Sequence, residues 1–178
     1  MDFPERIFFI TTVTAQRKPL FRYERSAKLF LDTLFGYRDR GIFQLHEFVV
    51  MPDHVHFILA PKLTTSLERA MQFIKGGYSH RYMKETGSRT EIWERSFTNH
   101  RIRDGDDYDQ HRRYIHLNPV RAGLCQVPQD YPYSSTWPGF SLDAAPQRLK
   151  PVAQPQLLAR LEAGRFHGGA RADGDFQG

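Results

Sequence analysis

Two histidines stand two residues apart in the stretch VVMPDHVHFILAP, at positions 54 and 56. The stretch is apolar and β-branched, so it reads as a strand, and in a strand positions i and i+2 share one face. His54 and His56 then lie side by side, while Val55 and Phe57 turn the other way into a core. Two neutral imidazoles on one face are half of a metal site. The segment HRRYIHLNP supplies the rest, because Tyr114 and Asn118 are four residues apart and share a helix face. The carboxamide oxygen of Asn118 is a hard, neutral donor. Together with His54 and His56 it suits Mg²⁺ or Mn²⁺, with water and a substrate phosphate completing the shell. Tyr114, one turn away, is aimed at whatever that cation polarises. Free tyrosine, with a pKa of about 10, is a weak nucleophile, but a metal and nearby cations favour phenolate attack on a phosphodiester. Such attack leaves a covalent phosphotyrosine and a free hydroxyl, so the strand can be rejoined elsewhere.

Each of these residues also has a plainer reading. Histidines on an antiparallel face are often satisfied groove residues, and a helical tyrosine usually packs. Asn118 precedes Pro119, and the residue before a proline resists helical geometry. Their joint occurrence beside Arg112, Arg113 and Arg121 is what favours a site.

The elements that must position these groups follow from the pattern along the chain. RIFFITTVT (6–14) is a β-branched and aromatic strand. Residues 23–41 carry Ala27, Leu31, Leu34 and Phe35 at helical spacing and stop at Gly41. Residues 42–50 and 54–60 are two more strands, joined by Met51-Pro52-Asp53 in a tight turn. A second helix opens at Thr65 or Ser66 and presents Leu67, Ala70, Met71 and Ile74 on one face. Gly76-Gly77 inside it signals a kink or a close approach. Residues 91–104 read as a short strand running into a basic loop. The last helix covers about 106–118 behind the acids Asp104 to Asp106, and Pro119 ends or kinks it. The order β-α-β-β-α-β-α predicts an α+β sandwich of the ferredoxin-like kind, a mostly antiparallel sheet with helices packed on one face. Residues 1–140 form this domain. The Pro-, Ala- and Gly-rich residues 141–178 are expected to be a partly disordered tail.

Composition narrows the classes. The chain has 178 residues, a net charge of +5, and Arg outnumbering Lys 19 to 6. Arginine forks onto phosphates and stacks on bases, which favours nucleic acid, although a GC-rich genome produces the same skew. Lys75, Arg81, Arg101, Arg103, Arg112, Arg113 and Arg121, with His80, flank the proposed site as candidate DNA contacts, and Tyr78 and Phe97 as candidate base-stacking rings. One cysteine, Cys125, excludes a disulfide framework and reads as a small packing residue. The N-terminus has acids where a signal peptide needs cations, and its apolar run is too short to span a bilayer, so a cytoplasmic location with no membrane partner is expected.

Four segments in order, VVMPDHVHFILAP, IWERSFTNHRIRD, YIHLNPVRAGL and YPYSS, resemble the REP-associated tyrosine transposases, a branch of the transposases with a His-hydrophobic-His motif and one tyrosine. The resemblance covers about residues 5–137. It implies a ferredoxin-like core and metal-dependent cleavage and rejoining of single-stranded DNA beside palindromic hairpin repeats, by a monomer or a homodimer. The motif's histidines fall on His54 and His56, its nucleophile on Tyr114 and its polar ligand on Asn118. Insertion-sequence members typically carry Gln at that last place, and Asn fits the REP-associated branch. The flank often reads Met-Pro-Asn; Asp53 here is a departure expected to have no consequence.

Rival readings fare less well. A histidine-triad hydrolase needs a third histidine where Ile58 stands, and gives Tyr114 no role. A serine or cysteine hydrolase has no elbow glycines and no activated Cys125. A non-catalytic protein that binds hairpin DNA is the remaining alternative, although it does not need all four of His54, His56, Tyr114 and Asn118.

Overall fold

The computed structural model describes residues 6–146 and Leu149. Four strands, β1 (Phe8–Val13), β2 (Phe43–Met51), β3 (His54–Pro61) and β4 (Thr98–Arg101), form one sheet in the order β2-β3-β1-β4. Every pairing is antiparallel. The helices are α1 (Glu24–Asp39), α2 (Leu67–Thr86) and α3 (Gly105–Arg121). This is the α+β, ferredoxin-like arrangement that the pattern predicts. The expectation of helices on one face holds for α1 and α2, whereas α3 packs on the opposite face.

The strand alternation explains the two layers. Val55, Phe57 and Leu59 of β3 join Ile10, Phe30, Leu34, Ile74 and Tyr78 in the core beneath α1 and α2. Their neighbours His56 and Ile58 turn to the side where Ile115 and Tyr108 of α3 pack with Val49, Met51 and Ile102. Cys125 packs against the edge of that second cluster, as a packing residue should.

Local signals set the helix ends. The Ser66 hydroxyl accepts from the Arg69 amide and starts α2, and the Asp104 carboxylate accepts from the Asp107 amide and starts α3. Pro119 does not end α3: the helix runs to Arg121 and stops in a Schellman arrangement. There Gly123 (φ 69°) donates to the Val120 carbonyl and Leu124 to that of Pro119. Of the two possibilities for Gly76-Gly77, the close approach is the one observed. A Cβ on Gly77 would stand 2.4 Å from the Tyr37 ring, so the glycine lets α1 and α2 come together without a break in α2.

The YPYSS segment closes the open edge of β2. Val50 donates to the Tyr133 carbonyl, Ser135 to that of Phe48, and the Tyr131 hydroxyl to that of Val50. Beyond the expected boundary near 140 the chain still packs on the body. Asp143 accepts from Arg38 Nε and from the Leu45 amide, both at 2.8 Å, and Leu149 is buried. Of the 141–178 stretch, residues 147, 148 and 150–178 lie outside the described residues. No helix among the described residues is long and apolar enough to cross a membrane.

Candidate nucleophile and metal site

β1 and β3 set the floor of the site. Thr11 is the cross-strand partner of His56, and its hydroxyl meets His56 Nδ1 at 2.7 Å. The ring is 4% exposed, and its Nε2 is buried without a hydrogen-bond partner. Burial, with His54 beside it, pushes the His56 pKa down to about 3, so the imidazole is neutral. That is the state a metal ligand requires. The His54 and His56 rings lie 4.7 Å apart between centroids.

The turn between β2 and β3 orients His54. Asp53 Oδ1 meets His54 Nδ1 at 2.6 Å, and Asp53 Oδ2 accepts from Arg17 at 3.2 Å. Burial opposes ionisation of Asp53, but His54 and Arg17 outweigh it and hold the carboxyl below its usual range. A carboxylate on one ring nitrogen directs the other toward a metal. Asp53 therefore has a consequence that the sequence reading did not give it. The loop that carries Arg17 places Gln16 (φ 56°) and Arg17 (φ 50°) in the left-handed region. Bonds from Gln16 to Glu94 and from Arg17 to the Thr14 carbonyl hold it there.

α3 forms the roof. Ile115 faces the sheet, and its neighbour Tyr114 is 40% exposed over the edge of the strands. The Tyr114 ring lies 5.1 Å from His56 and 5.9 Å from Phe9. Asn118, one turn further along, is half-buried on the same helix face. The helix is held in place by a clasp that sequence reasoning missed. Glu47 Oε2 accepts from His116 Nε2 at 2.8 Å and from the Ser135 hydroxyl at 2.6 Å. Glu47 follows a bulge in β2 at Leu45/Glu47, a device that re-aims a strand residue. No local signal joins positions 47, 116 and 135; only the fold brings them together.

The expected cations separate into two groups. Arg113 and Arg121 line a cleft of about 470 Å³ together with Phe9, His111, Tyr114 and Leu117. Arg112 pairs with Asp109, and Arg103 lies beside Asp107 at the start of α3. Lys75 lies elsewhere, its ammonium donating to the carbonyls of Glu94, Arg95 and Ser96. Arg81 donates to Thr33 in a groove between α1 and α2 that His80 also lines. Arg101 is the partner of Phe8, and strand alternation turns both to the α1–α2 side. Tyr78 is fully buried among Phe21, Phe30 and Trp93, so it offers no face to a base. Phe97 packs against the same core.

A further group with metal-ligand chemistry lies across Phe9. His100 on β4 and Asp107 and His111 on α3 bring their donor atoms within 4.8 Å of one another. Asp107 and His111, four residues apart on α3, are the members that helical spacing could have flagged.

Comparison with known proteins supplies the context. The profile of the family described as "Transposase IS200 like" matches residues 7–118. A REP-associated tyrosine transposase of Escherichia coli is 32% identical over 99 residues, 55% of this chain and 56% of that protein. A Haemophilus influenzae protein of the same description is 31% identical over 96 residues, 48% of this chain and 54% of that protein. The chain thus spans about half the length of these relatives. A solved REP-associated tyrosine transposase bound to a REP hairpin superposes with a TM-score of 0.65 at 23% identity, over 80% of this chain and 91% of that one. A Deinococcus radiodurans structure assigned as a transposase gives 0.50 at 18% identity, over 65% and 92%. At those identities the likeness is one of fold.

Proposed function

Starting from a chain that belongs to the family of IS200-like transposases, we propose that it is a metal-dependent single-strand DNA transposase or endonuclease. In this reading it acts in the cytoplasm, as a monomer or homodimer, on DNA carrying hairpin repeats. The observation that carries the reading is the placement of Tyr114. Its half-exposed ring lies 5.1 Å from a neutral, buried His56 whose Nε2 has no partner, beside a cleft lined by Arg113 and Arg121.

Tyr114 Oη attacks the phosphorus of a diester lying in the cleft. The P–O bond to the leaving sugar breaks as the phenol gives up its proton, and the leaving oxygen gains one as a free hydroxyl. A covalent phosphotyrosine remains. Attack by a hydroxyl end on that phosphorus reverses the step and rejoins the strand, releasing Tyr114. Arg113 and Arg121 hold phosphates on either side of the tyrosine. His54, His56 and Asn118 hold a divalent cation, Mg²⁺ or Mn²⁺. When bound, it supplies Lewis-acid polarisation of the phosphoryl oxygen. The free Nε2 of His56 and the carboxylate-oriented His54 fit that role.

A covalent-adduct assay tests the reading. Wild type and Tyr114→Phe are incubated with Mn²⁺ and end-labelled single strands from the host's hairpin repeats, then run on a denaturing gel. A labelled adduct in wild type that falls at least about 10³-fold in Tyr114→Phe is the expected result, with hairpin binding retained. Native-gel shifts without any adduct would leave a hairpin-binding protein instead.

A further inference from the structure

We propose that His100, Asp107 and His111 form a second divalent-cation site, of the zinc class, that fastens the start of α3 to β4. The site shares no residue with His54, His56 and Asn118, and it stands or falls independently of the reading of Tyr114.

The donor atoms already converge. His100 Nε2 lies 3.0 Å and 2.9 Å from the two Asp107 carboxylate oxygens, and His111 Nδ1 lies 3.1 Å from Oδ1. Around a zinc ion at 2.0–2.1 Å, neighbouring tetrahedral donors stand about 3.3 Å apart, so small rotations bring this set into a shell. The two imidazole rings are stacked, 4.7 Å apart and within 18° of parallel, and their edges reach the same carboxylate. Asp107 and His111 are four residues apart on α3 and share a face.

The surroundings hold the set ready. The Asp107 side chain is 10% exposed. Its Oδ2 accepts from the Arg103 amide at 3.0 Å. Burial works against its charge, but the hydrogen bonds from His100 and the Arg103 amide win and keep the carboxyl below its usual range. A ligating carboxylate that is itself held by a backbone amide has the outer-shell support that metal ligands need. His111 Nδ1 also meets the Asp107 carbonyl at 2.8 Å, a contact that a bound cation replaces.

The donor chemistry selects the ion. Two imidazoles and one carboxylate are the three protein ligands of an open zinc site, with water in the fourth place. Phe9 separates this site from the first. It is the β1 partner of His100, and its ring lies 4.6 Å from His111 and 5.5 Å from His56. β4 is a four-residue edge strand paired only with β1. An ion bridging His100 to α3 therefore ties the shortest strand to the helix that carries Tyr114.

Zinc stoichiometry of the full chain, measured by equilibrium dialysis, tests the site, together with thermal unfolding. Two equivalents are expected for wild type, and one each for His100→Gln/His111→Gln and for His54→Gln/His56→Gln. Zinc at a hundredfold over its Kd should raise the wild-type Tm by about 5–10 °C more than that of His100→Gln/His111→Gln. If folded His100→Gln/His111→Gln binds as much zinc as wild type, the site is overturned. If wild type binds a single equivalent that His54→Gln/His56→Gln removes, the second site is overturned and the first stands. If His100→Gln/His111→Gln removes the only equivalent, the proposal stands and the His54–His56 assignment fails. Should that variant not fold, diethylpyrocarbonate labelling of wild type decides: zinc should protect His100 and His111, and equal labelling with and without zinc overturns the site.

Discussion

The two faces of the sheet put the same strands to different use. Toward α1 and α2, β3 presents Val55, Phe57 and Leu59 to a layer whose rings interlock: Phe21, Phe30, Tyr78 and Trp93 lie 5.3–5.7 Å apart between centroids. Toward α3, one end of the same strands presents His54, His56, Thr11 and Phe9. On the first face apolar burial meets apolar burial, and the free energy goes into holding the sheet. On the second, a ring of polar groups is held rigid by that layer beneath it. A buried imidazole nitrogen without a partner is costly, and it persists because the strands on either side of it cannot relax.

The pH dependence of stability should separate the faces most strongly. The folded pKa of His56, about 3, lies below the unfolded value near 6.5, so its contribution is complete above about pH 6.5 and lost as the pH falls toward 3. In chelator, the unfolding free energy should fall between pH 6.5 and 4.5 with a slope approaching about 1.4 kcal/mol per pH unit. Urea titrations of His56→Gln should show that slope removed. The shifted carboxyls of Asp53, Asp107 and Asp143 act at lower pH, below their ordinary value of 3.8. An unchanged slope in His56→Gln would mean that the polar face is not under this constraint.

Asp53→Asn sharpens the comparison within the polar face. It keeps the shape of the turn but removes the charge on His54, and Mn²⁺ affinity measured by calorimetry should weaken about 10–100-fold. An affinity equal to wild type would return Asp53 to the inert flank that the sequence suggests. The smallest effect belongs to the other side. Ile74→Val, in the core beneath α2, should cost about 0.5–1.5 kcal/mol in urea unfolding. The adduct rate per folded molecule should not change; a parallel loss of rate would show that the two layers are coupled rather than divided.

Much of this is legible in the amino-acid sequence. Alternation in VVMPDHVHFILAP put His54 and His56 together on one face and Val55 and Phe57 in the core, and four-residue spacing put Asn118 beside Tyr114 on α3. Thr65 or Ser66, and the acids Asp104 to Asp106, marked the starts of α2 and α3, and the structure resolves the caps to Ser66 and Asp104. These are local facts, because strand and helix periods are properties of the backbone. The cations were less legible. Lys75, Arg81 and Arg101 lie in segments that flank the site in sequence, yet the sheet carries them to its other side.

What the sequence by itself determined is the order of the elements and the residues that share a face within each one, since both follow from backbone geometry and apolar periodicity. Which side of the sheet α3 would cover was decided only in three dimensions, where Val49, Met51, Ile58 and Ile115 bury one another. With that choice made, Tyr114 comes over His56, Glu47 clasps His116 and Ser135, and His100 meets Asp107 and His111. The contacts of Tyr114 with His56 and of Glu47 with His116 and Ser135 join residues more than fifty positions apart and leave no local period to read. They exist because two elements pack, and packing is a property of the whole chain.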